Sequence, residues 1–299
     1  MMTSPNNSGQ QTKGRVLRKR ISSRRVNRRE RVLLSLQVIT GTPPPSTPHS
    51  LPSNSPAHQP HRSLVTTLRA AEKFEQSHLS TPEVSRLING AKFFYVEGYF
   101  LTHGLDSALE VAKKASETGK VDPRLPFSGT RAVHTCSYFS QVFTLNLSAP
   151  FIPQFFKVQL EQIFPYCDFV IGNESEAAAW ASAVGLPNKD DIPAIAKSIA
   201  TLPKSNPSRS RTVIITQGPD STVVVAATEP DKPKTFSVTR LEDGQIVDTN
   251  GAGDAFAGGF LGALVAGKSV DEAVLAGHKL GGMCVQLVST LETSCFSVS

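Results

Sequence analysis

From residue 105 onward, short apolar runs alternate with longer amphipathic ones. Segments 143–147, 168–171, 212–216 and 221–227 have the length and composition of strands, and 94–102 begins in the same way. Segments 105–118, 174–185, 191–201, 252–266 and 270–288 carry helical spacing. That alternation predicts an α/β fold built on a largely parallel sheet. The runs 221–227 and 235–239 lie close enough to form an antiparallel edge. No apolar run is long enough to cross a bilayer. The length suits one or two domains with a sizeable core.

The most specific segment is 248–259, Asp-Thr-Asn-Gly-Ala-Gly-Asp-Ala-Phe-Ala-Gly-Gly. It reads as a turn of minimal side chains running into a helix, with Asp254 in the first helical turn. The first N–H groups of a helix have no partner within it. Together with the helix dipole they attract anions. Gly251, Ala252 and Gly253 leave those amides uncovered, so a phosphoryl group can come close to the backbone. A carboxylate at Asp254 can take the proton of a hydroxyl beside that phosphate. The same residues also suit a structural role, because Asn-Gly is a common turn and small residues let a helix pack closely on a sheet.

The run resembles the C-terminal signature D-T-x-G-A-G-D-x-F of the ribokinase-like (PfkB) carbohydrate and nucleoside kinases. Segments 94–102, 143–151 (with Asn-Leu-Ser-Ala-Pro-Phe), 171–178 and 213–218 (ending Thr-Gln-Gly), in this order, resemble the adenosine kinase branch of that family. The likeness runs from about His61 to about Leu287. It implies a ribokinase-like three-layer sandwich with its N-terminal strands and lid largely missing. It also implies transfer of a phosphoryl group from ATP to the 5′-hydroxyl of adenosine, giving ADP and AMP. Asp254 would be the base, and the Gly251, Ala252 and Gly253 amides the anion hole. Thr216, Gln217, Gly218, Asp248 and Asn250 would border ATP. Asn173 and Glu176 resemble an N-x-x-E motif that organises Mg²⁺, largely through water. The same spacing is also a helix-capping arrangement, and both roles can hold at once. Phe100 and Phe151 are either walls for the adenine ring or ordinary core. Arg62 resembles a lid arginine, against the plainer reading of a solvated surface residue. His278 falls near the expected adenine region and reads as a satisfied structural histidine.

The formal charge of +6 belongs to one end of the chain. Residues 1–31 carry ten of the 31 Lys and Arg and one of the 25 acids, Glu30, so residues 32–299 hold 21 basic and 24 acidic side chains. The folded part therefore gives no nucleic-acid footprint. Residues 1–60 are Arg-rich and then Pro/Ser-rich, and are expected to form a disordered arm. The arm reads as a mitochondrial-type presequence, as a nuclear or RNA-binding tail, or as sequence foreign to the kinase. Residues 61–299 then form a partial kinase domain. An insertion at about 121–141 interrupts what would be a short helix-to-strand connection. Together these features lead us to expect a chain from an incomplete or misassembled gene. Cys136, Cys167, Cys284 and Cys295 lack metal-site spacing and read as reduced thiols. The expected protein is a cytoplasmic or nuclear monomer that meets adenosine and ATP. Another PfkB-type sugar or nucleoside kinase, and a non-catalytic nucleotide-binding remnant, stand as alternatives.

Overall fold

A computed structural model describes residues 34–35, 71–118, 141–242 and 244–287. Arg62, Cys136, Cys295, most of the 1–60 arm, and the 121–141 insertion apart from Gln141 lie outside the described residues. The chain divides into residues 1–31 and 32–299, and every described residue belongs to the second unit.

Among the described residues seven strands form one sheet in chain order. They are β1 (Leu34–Ser35), β2 (Phe93–Glu97), β3 (Val142–Asn146), β4 (Phe169–Asn173), β5 (Thr212–Gln217), β6 (Asp220–Ala226) and β7 (Lys234–Phe236). Neighbours from β1 to β5 pair parallel, while β6 runs antiparallel to both β5 and β7. Leu34 and Ser35 come from the segment expected to lie outside the kinase domain, yet they pair with Phe94 and Tyr95.

The helices are α1 (Pro82–Gly90), α2 (Leu105–Glu117), α3 (Phe151–Phe155), α4 (Lys157–Ile163), α5 (Glu174–Val184), α6 (Ile192–Ala200), α7 (Ala252–Val265) and α8 (Val270–Cys284). They form two layers, because each central strand sends alternate side chains to opposite faces. Phe94, Val96, Phe143, Leu145, Val170, Val213 and Ile215 join one cluster with residues of α1 to α6. Ile171, Ile214 and Val224 join the other, with Phe256, Ala257 and Phe260 of α7 and Ala273 and Val274 of α8. The result is the expected helix–sheet–helix sandwich.

α8 ends earlier than its apolar pattern suggests. The Val285 carbonyl accepts the Val247 and Asp248 amides at 2.8 and 3.2 Å, which ties the helix end to the loop before α7. Thr118 and Gln141, on either side of the unusual connection, are in direct contact. The Gln141 amide donates to Thr118 Oγ1 at 2.7 Å, and the Gln141 side chain reaches the Ile88 and Ala91 carbonyls. Among the described residues no helix is long and apolar enough to cross a membrane.

Candidate active site

On the face covered by α7 and α8, the strands turn polar toward their C-terminal ends. Tyr95 is followed on that face by Glu97, Phe169 and Ile171 by Asn173, and Ile214 by Thr216. The register brings these ends together, pairing Glu97 with Asn146 and Asn173 with Thr216. Crevices at the carboxyl ends of parallel strands are where open α/β sheets bind ligands.

α7 starts beside this crevice. Gly251 caps it with φ 74°, a left-handed conformation that costs glycine little. Asp248 and Asn250 shape the approach: the Asn250 amide donates to Asp248 Oδ1 at 2.8 Å, and Asn250 Nδ2 to Asp248 Oδ2 at 3.1 Å. Cys284 of α8 adds a thiol donor to the Asn250 carbonyl at 3.5 Å. A Cβ placed on Gly253 would meet nothing within 4 Å, so the backbone of the first turn is uncovered there. Gly259 serves packing. A Cβ on Gly259 would come within 2.6 Å of the Ala276 carbonyl oxygen, so α7 and α8 touch backbone to backbone there. One run thus supplies both an uncovered helix start and a close helix–helix contact.

Asp254 sits in the first turn of α7, exposed at its tip. The protein around it displaces enough water to push its carboxyl above the ordinary range. Glu176 is 4 % exposed. Burial, with smaller contributions from the charges of Glu174 and Asp254, pushes its carboxyl up to about 7 against the hydrogen bond from the Asn173 amide. Asn173 and Glu176 form a complete capping box. Asn173 Oδ1 accepts the Glu176 amide at 2.9 Å, while Glu176 Oε2 accepts the Asn173 amide and Oε1 accepts Asn173 Nδ2, both at 2.9 Å. Both carboxylate oxygens are thus oriented by one neighbour.

This environment has a consequence for stability. A carboxyl raised from 4.5 to about 7 on folding holds a proton in the native chain that the unfolded chain has released. Stability therefore falls as pH rises through that window. Relative to Glu176→Gln, the parent should lose up to about 3 kcal/mol between pH 5 and pH 8. Urea unfolding of both proteins at the two pH values checks this, and parallel stability curves would contradict it.

Thr216 Oγ1 donates to the Gly172 carbonyl at 3.3 Å, Gln217 Nε2 donates to the Ser221 carbonyl, and Gly218 makes the tight turn into β6. Phe151 is 39 % exposed and lies 5.8 Å from the Tyr99 ring. Phe100 is held edge-on by Phe74 and His103 at 5.5 and 5.2 Å. His278 shares a 2.8 Å hydrogen bond with Thr222 Oγ1 and packs on Phe256.

Sequence reasoning missed Glu97, Tyr95, Asn146 and Ser148. Asn146 Nδ2 donates to Tyr95 Oη at 2.8 Å, and burial raises the Tyr95 phenol far above its ordinary range. Ser148 takes a left-handed φ of 68°, and its Oγ accepts the Gly98 amide at 2.8 Å. Their position at strand ends was a signal that could have drawn attention to them.

Among the described residues no group of three or more His, Cys, Asp or Glu is gathered tightly enough to hold a metal ion directly. Asp254, Glu176 and Glu97 also have no salt bridge among the described residues.

The pattern of the pfkB family carbohydrate kinases matches residues 57–294. An adenosine kinase from Schizophyllum commune is 55% identical over 227 residues, covering 76% of this chain and 60% of that protein. Adenosine kinase 1 of Arabidopsis thaliana is 40% identical over 225 residues, covering 75% of this chain and 58% of that one. The crystal structure of Anopheles gambiae adenosine kinase in complex with P1,P4-di(adenosine-5) tetraphosphate superposes with a TM-score of 0.65 at 41% identity, covering 74% of this chain and 58% of that chain. The chain therefore spans about three fifths of the length of the curated relatives it matches.

Proposed function

Given that the chain belongs to the pfkB family of carbohydrate kinases, we propose that it transfers the γ-phosphoryl group of ATP to the 5′-hydroxyl of adenosine, releasing ADP and AMP. The observation that carries this reading is the open, glycine-lined start of α7 with Asp254 in its first turn, beside polar strand ends.

In the proposed reaction the acceptor oxygen attacks the γ-phosphorus, the bond to the β-bridging oxygen breaks, and the hydroxyl proton passes to Asp254. A base of raised pKa suits that step, because it holds the transferred proton more strongly. The amides around Gly251, Ala252 and Gly253 would face the phosphoryl oxygens, where preorganised donors act most strongly. Glu176 and Asn173 would orient the water shell of a Mg²⁺ ion. That ion would neutralise phosphate charge, in keeping with catalysis that is mainly positioning and electrostatics. Thr216, Gln217 and Gly218, with the loop shaped by Asp248 and Asn250, would border ATP. Phe151, an exposed aromatic beside Tyr99, is the better placed wall for the adenine ring. Phe100, engaged by Phe74 and His103, is the second candidate wall. Arg62 is retained as a lid residue from its sequence context alone.

The domain reading is also a proposal: a basic, Pro/Ser-rich arm over residues 1–60, from which Leu34 and Ser35 join the sheet, followed by a partial kinase domain with an insertion. A cytoplasmic or nuclear monomer without nucleic-acid partners through its folded part completes it.

A nucleotide-binding chain without turnover is the second reading. Incubating the purified chain with ATP, Mg²⁺ and adenosine separates the two. AMP formation supports the kinase. ATP binding without AMP, and without product from ribose, fructose or other nucleosides, supports the second reading.

A further inference from the structure

Glu97 has no assigned part in this chemistry, yet it ends β2 at the crevice. Tyr95, two residues earlier, packs against the apolar cluster containing Phe256, Ala257 and Phe260 of α7. Side chains alternate along a strand, so Glu97 lies on the same face, roughly 7 Å nearer the strand ends. The α7 helix covers that face and carries Asp254 in its first turn. Glu97 is half-buried, and it accepts no hydrogen bond and meets no cation among the described residues. Burial, and then the charge of Asp254, push its carboxyl above the ordinary range. An unpartnered, half-buried carboxylate costs stability, and no packing contact in the structure accounts for it.

We propose that Glu97 is a specificity-determining residue that rejects already phosphorylated acceptors and weakens retention of the phosphorylated product. The inference rests on Asp254 being the base, because that reading puts the acceptor oxygen at a carboxylate whose charge reaches Glu97. A neutral hydroxyl there adds no charge to the crevice. A phosphate monoester brings up to two negative charges at neutral pH. The groups around it are Asp254 in the first turn of α7, Cys284 at the end of α8, Glu176 on α5, and Tyr95 and Tyr99 along and after β2. Among these described residues none is a cation. Before transfer, the charge of the γ-phosphoryl group would be met by the helix-start amides and a hydrated cation. After transfer it sits on the product, facing Glu97 and Asp254 together.

The test compares the full chain with Glu97→Gln and Glu97→Asp by calorimetric titration with adenosine and with AMP between pH 5.5 and 8.5. At pH 8, Glu97→Gln should bind AMP about tenfold more tightly than the parent, the scale of one charge repulsion in a partly hydrated site. Its adenosine affinity should change less than threefold. The gain for AMP should shrink as pH falls and the parent's Glu97 takes up a proton. Glu97→Asp keeps the charge and should still disfavour AMP. Equal factors for both ligands, a gain as large in Glu97→Asp, or AMP binding undetectable in parent and Glu97→Gln alike would overturn the proposal. A chain that shows the AMP effect but makes no AMP from adenosine would remove the kinase reading and leave this selectivity in place.

Discussion

Asp254→Asn should lower the turnover of phosphoryl transfer by about a thousandfold while leaving ATP affinity within a few-fold of the parent. A general base contributes roughly 100- to 10,000-fold to such a step. The amide cannot take up the acceptor proton, whereas the helix-start amides that hold phosphate are backbone groups and persist. Asparagine also suits the first turn of a helix, so α7 should start at the same residue. Single-turnover kinetics with adenosine and ATP, alongside equilibrium ATP binding, measure the two parts separately. Turnover near the parent rate would remove Asp254 as the base. In the parent, rate should fall as pH drops through the raised Asp254 pKa, so the acid limb lies above the ordinary aspartate range.

Arg211→Ala should cost about 4 kcal/mol of stability, enough to unfold much of a marginal domain at 37 °C. Arg211 is 0 % exposed at the start of β5, on the far side of the sheet from the crevice. Its Nη1 donates to the Ile199, Ala200 and Leu202 carbonyls at 2.9, 3.3 and 2.8 Å. Its Nη2 donates to the Pro203 carbonyl at 3.1 Å and also to that of Phe164. These are the carbonyls left over where α6 and the turn after α4 end, groups a helix cannot satisfy by itself. Truncation removes the donors and leaves a cavity, and both losses fall in the interior. Arg211→Lys should cost about half as much, because an ammonium supplies three donors without the planar fork. Urea unfolding of the two variants checks the order. A difference below 1 kcal/mol between Arg211→Ala and the parent would show that the carbonyls find other partners.

Much of the architecture was legible before any coordinates. The segment 252–266 became α7 at Ala252–Val265, and 105–118 became α2 at Leu105–Glu117. Both are set by spacing within a dozen residues. The 270–288 run was read too long, because the apolar pattern continues past Cys284 while the Val285 carbonyl is taken by residues 247 and 248. The Asn173/Glu176 pair was legible as a capping arrangement. Its burial and the resulting rise of Glu176 to about 7 were not, since they come from the strands around it. Arg211 carried no signal at all. One arginine before an apolar strand looks like any surface charge until two helix ends converge on it.

What the sequence determined by itself was local: where period-two and helical runs begin and end, and that a glycine-lined helix start would carry Asp254. Backbone sterics and side-chain period decide such things within a few residues. Only the tertiary structure decided which strand ends share the crevice. Strand order and register put Glu97 on the face of Asp254, although the two lie far apart along the chain. The same placement sets the proton affinities of Asp254, Glu176 and Glu97. Solvation and charge–charge energies depend on distance in space, which no run of neighbouring residues contains.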